Sequence, residues 1–154
     1  EDFTRFLKFF LKFTNDSITV FYSGRSNSSD DIEFIDTTLS KNSISEIIAS
    51  NCDENINSLF ITESLKGGSV FDVTNASNAI SLSVTKSDSN DSKENERSHG
   101  IFTYYFCKII SECPYITPIR LIDRINPSLK RFNETLKCEM SNENIGRNPI
   151  YFNK

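Results

Sequence analysis

Two short runs of β-branched and aromatic residues, SITVFY at 17–22 and SLFITE at 58–63, constrain this chain more than any other feature. Asn15 and Asp16 precede the first and Ser23 and Gly24 follow it, while the second runs out into SLKGG. Apolar runs of this length bounded by turn residues read as buried strands. Between them, SISEIIAS at 43–50 reads as a helix capped by Ser43, with Glu46 three residues on completing a capping box.

Ahead of the first strand, DFTRFLKFFLKF at 2–13 places Phe3, Phe6, Leu7, Phe10 and Phe13 on one helix face and Arg5, Lys8 and Lys12 on the other. A basic amphipathic helix can lie on a membrane. Here a strand follows at once, so the expectation is a helix packing its aromatic face on a sheet. IEFID at 32–36 reads as a short strand and AISLSV at 79–84 as a third buried one. The stretch 86–98, KSDSNDSKENERS, is polar without periodicity and reads as a flexible, solvated loop. IFTYYFCKIISEC then stacks Phe102, Tyr105, Phe106, Ile109, Ile110 and Cys113 on one helical face. Thr117-Pro118 and Asn126-Pro127 each offer a cap followed by proline, giving two short helices or one broken one, and NPIYF at 148–152 reads as a last strand.

That rhythm belongs to an α/β sheet covered by helices. Chemistry in such sheets collects at the carboxyl ends of the strands. Those ends are residues 23–26 and 64–68.

A chain of 154 residues is the size of one domain. Its net charge of -4 supplies no field that would attract a phosphate backbone, so nucleic acid is not an expected partner. The apolar runs fall far short of the roughly 20 residues that span a bilayer, and no charged-then-apolar leader precedes them. A soluble, cytoplasmic protein with no membrane partner is expected, and the start at Glu1 suggests a fragment or processed product. Cys52, Cys107, Cys113 and Cys138 form no CxxC pair, and His99 is the only histidine, so free thiols are expected, with no metal and no cofactor.

Read together, the two strand ends resemble the caspase-like cysteine peptidases, and metacaspases most closely. In that family the first strand ends in a segment like YSGHG, carrying the catalytic His, and the second in one like DxCxSG, carrying the nucleophilic Cys. Here Tyr22, Ser23 and Gly24 match, while Arg25 stands in place of His and Ser26 in place of the next Gly. In the second segment Glu63 stands for the acid, Leu65 for Cys, Lys66 and Gly67 for the next two positions, and Gly68 matches. The AISLSVTKSDSNDSKE segment, SHGIFTYYF and the terminal NPIYF extend the similarity over nearly the whole chain.

The resemblance implies a three-layer caspase-like sandwich with a mostly parallel sheet and helices on both faces. It also implies one caspase-like domain over 1–154 with its first strands missing. The family's first strand would lie beside 18–22, so without it SITVFY becomes an exposed apolar edge unless a longer parent chain or a partner covers it. No catalytic residue is expected: Leu65 has no nucleophilic atom, and Arg25 stays protonated at any physiological pH. Ser23, Gly24, Ser26, Gly67 and Gly68 are the former turn and oxyanion positions. Glu63 is a candidate for binding a basic peptide side chain and for an ion pair with Arg25. The implied function is a pseudoprotease that binds or regulates a protein or peptide, an active caspase-like homologue being one candidate. The alternatives are an active cysteine endopeptidase with a divergent site and a non-functional family remnant. His99 is separated by roughly 12 Å of helix from Cys107, too far for an acid-base pair.

Overall fold

The structure, a computed structural model, describes residues 2–14, 16–65, 68–86, 100–147 and 149, without the side chains of 65, 85 and 86. In chain order the elements are α1 (Asp2–Phe13), β1 (Ser17–Ser26), β2 (Ile32–Glu33), β3 (Thr38–Leu39), α2 (Lys41–Asn51), β4 (Asn57–Leu65), β5 (Ala79–Lys86), α3 (Ile101–Glu112), α4 (Pro118–Leu129) and β6 (Leu136–Met140). The strands form a six-stranded sheet in the order β3-β2-β1-β4-β5-β6.

The two apolar runs read from the sequence are β1 and β4, and they pair in parallel from Ser17 opposite Asn57 to Arg25 opposite Leu65. Parallel strands need a long crossover, which α2 supplies. The sheet as a whole is nevertheless mixed and open, which corrects the expected mostly parallel sandwich. Only β1–β4 and β4–β5 are parallel; β1–β2, β2–β3 and β5–β6 are antiparallel. Connection length explains the difference. The turns at 27–31 and 34–37 are too short for a crossover, so β1, β2 and β3 meander at one edge. Between β5 and β6 the chain crosses the sheet twice, in α3 and α4, and therefore re-enters in the reverse direction.

Side chains alternate across the sheet, so the central strands β4 and β5 each serve two cores. Leu59, Ile61, Leu82, Val84 and Leu136 pack under Phe102, Phe106, Leu121, Ile125 and Leu129 of α3 and α4. On the other face Phe60 and Ala79 pack with Leu7 and Leu11 of α1, with Ile44, Ile47 and Ile48 of α2, and with Val70, Phe71 and Val73 of the segment after β4.

Several local expectations shift. The cap of α2 is Ser40, whose hydroxyl accepts from the Ser43 amide at 3.2 Å, so the cap lies three residues before the expected one. IEFID keeps only Ile32 and Glu33 as strand. Residues 117–129 give one continuous α4, capped by Thr117, with Pro127 tolerated in its last turn. NPIYF and the polar loop fall almost wholly outside the described residues, and β6 was not anticipated.

α1 departs most informatively. Its buried residues are Leu7 and Leu11, with Phe3 packed beside them, whereas Phe6, Phe9, Phe10 and Phe13 are each more than half exposed. The sheet uses one stripe of a wide apolar surface and leaves the rest uncovered. Leu11 is 2% exposed and Phe10 54%, so truncating the smaller side chain should be the more damaging change. Leu11→Ala is expected to lower stability by about 2–5 kcal/mol and Phe10→Ala by less than about 1 kcal/mol, as measured by urea denaturation of the two variants.

Candidate functional site

Because β1 and β4 are parallel neighbours, their carboxyl ends lie side by side at one edge of the molecule. Register places Ser23 opposite Glu63, Gly24 opposite Ser64 and Arg25 opposite Leu65. Arg25 and Leu65, the two positions that the resemblance sets against a catalytic dyad, are thus direct cross-strand partners.

The turn leaving β1 is built by its own side chains. Tyr22 folds back so that its hydroxyl donates to the Arg25 carbonyl, and its ring lies where a β-carbon on Gly24 would sit. Burial, with help from the charge of Glu33, holds the Tyr22 hydroxyl above its ordinary pKa, so it remains a donor at neutral pH. Arg25 is exposed, while Ser26 is fully buried and its hydroxyl finds no partner among the described residues.

Beyond Ser26, Asn27 organises the loop. Its side-chain oxygen accepts from the amides of Ser29 at 2.8 Å and Asp31 at 3.0 Å. Asp31 in turn accepts from the Lys41 amide at the start of α2, at 2.8 Å, and from the Asn27 side-chain amide at 3.1 Å. Those two bonds hold the Asp31 carboxyl below its ordinary pKa. Asp30, in left-handed backbone at φ 63°, reaches across to the end of the neighbouring strand. Its carboxylate accepts from the Gly68 amide and pairs with the Lys41 ammonium at 3.0 Å.

Asp30 changes what this strand end can do. The Gly68 amide, one of the turn and oxyanion positions that the resemblance implies, is occupied by a carboxylate. A negative charge there both consumes the donor and opposes any anion developing nearby. Gly67, Lys66 and His99 lie outside the described residues.

Glu63 is turned toward α3. Only 2% exposed, it accepts from the Thr103 hydroxyl in the first turn of α3, and Gly100, the residue before that helix, lies directly against its carboxylate. An anion at a helix N-terminus is favourably placed against the helix dipole. Glu63 therefore ties β4 to α3. Among the described residues the ion pair at these strand ends is Lys41–Asp30 rather than the expected Arg25–Glu63, Arg25 being exposed and Glu63 buried.

The cysteines stand away from both strand ends. Cys52 closes α2, Cys107 lies on the exposed face of α3, Cys113 closes α3 and accepts from Arg124 at 2.9 Å, and Cys138 is on β6. Burial raises Cys52, and burial with the charge of Glu139 pushes Cys138 up to about 11. Both are thiols rather than thiolates at neutral pH. Among the described residues no group of three or more His, Cys, Asp and Glu side chains is placed to hold a metal ion. No described helix is long and apolar enough to cross a membrane.

Asp30, Lys41, Gly100 and Thr103 were not singled out in the sequence. Asp30 and Gly68 are 38 residues apart, and no periodicity links a polar loop to a distant strand end. The contact between Glu63 and Gly100 has a direct test. A β-carbon at Gly100 would overlap the Glu63 carboxylate, so Gly100→Ala is expected to cost about 1–3 kcal/mol. In a Glu63→Ala background the same substitution should cost well under half as much, and a thermal double-mutant cycle measures the coupling. No protein-family model matches the chain, and no curated protein matches it significantly.

Proposed function

We propose that the chain is a non-catalytic relative of the caspase-like cysteine peptidases, a pseudoprotease that acts by binding a protein or peptide. The observation that carries this reading is the register of Arg25 opposite Leu65 at the adjacent ends of β1 and β4. A His/Cys pair needs that proximity for the imidazole to reach the thiol. Each position was assigned from its own strand motif, and the two meet across the pair. Neither residue can perform the chemistry: arginine cannot accept a proton near neutral pH, and leucine offers no nucleophile. Loss of either member of such a unit lowers turnover by about four orders of magnitude or more.

Two further features support a binding role over residual catalysis. The Asp30 carboxylate sits on the Gly68 amide and places a negative charge beside the strand ends, where an acyl-transfer site would develop an anion. Beside it, Arg25 lines a surface depression of about 620 Å³ together with Glu33, Phe34, Ile35 and Asp36. Phe34 and Ile35 are exposed apolar residues there. Exposed apolar side chains flanked by charges of both signs are suited to holding a peptide segment that carries an apolar residue.

The reading is tested by fluorogenic peptides with Arg, Lys or Asp before the scissile bond, offered to the parent chain and to an Arg25→His, Ser26→Gly, Leu65→Cys variant with and without Asp30→Ala. The parent is expected to give no turnover above buffer. The variant carrying Asp30→Ala should be the most active of the set. Cleavage by the parent that a thiol alkylator abolishes would overturn the reading and return attention to the four native cysteines.

A further inference from the structure

We draw no further inference here: the strongest candidate, the surface patch on α1 where Phe6, Phe9, Phe10 and Phe13 stand exposed with Arg5 over the Phe6 ring and Lys12 over the Phe13 ring, carries none, because nothing among the described residues shows what covers it.

Discussion

The parallel pairing of β1 with β4 is the constraint on which the molecule depends. It places two strand ends within reach of each other, fixes α2 as the crossover, and gives β4 one face toward α1 and α2 and one toward α3 and α4. A slip of one residue would turn Phe60 out of one core and Ile61 out of the other. The fully buried Phe60 and nearly buried Ile61 make such a slip costly. The same register that protects the core therefore also fixes what faces what at the candidate site.

Once that frame is set, the strand ends are closed by contacts of ordinary kinds. A polar loop folded on Asn27 delivers the Asp30 carboxylate to the Gly68 amide and to Lys41, joining the β1 turn, the β4 turn and the start of α2. Glu63 makes the corresponding join to α3 through Thr103 and Gly100. Both carboxylates are thus engaged in holding the turns and helix ends together. A site built this way favours rigidity over the open donors and mobile protons that acyl transfer requires.

The parts of this arrangement differ in how far they could be read from the residues. β1, β4, β5, α2 and α3 were legible because each has a period long enough to recognise, and the strand ends followed from them. β6 was not, although LKCEM alternates, because five residues at a sheet edge give a weak signal. Strand direction was misjudged for a related reason: it depends on how many times the chain crosses the sheet, and the short β2 and β3 and the paired helices α3 and α4 reverse it. In α1 the apolar face was visible, but which stripe of it would be buried depended on the breadth of the sheet beneath. At the strand ends, the motifs single out Arg25 and Leu65, while Asp30 and Thr103 act through contacts that no local pattern encodes.

The central claim is that the adjacent strand ends hold no cysteine-peptidase chemistry. Its most direct measurement is intact-mass and peptide mapping of the chain after treatment with peptidyl acyloxymethyl ketones bearing Arg, Lys or Asp. The account predicts only slow, non-saturating modification, greatest at the exposed Cys107 and indifferent to the peptide portion. Rapid, saturable labelling of one cysteine that depends on the peptide would contradict it.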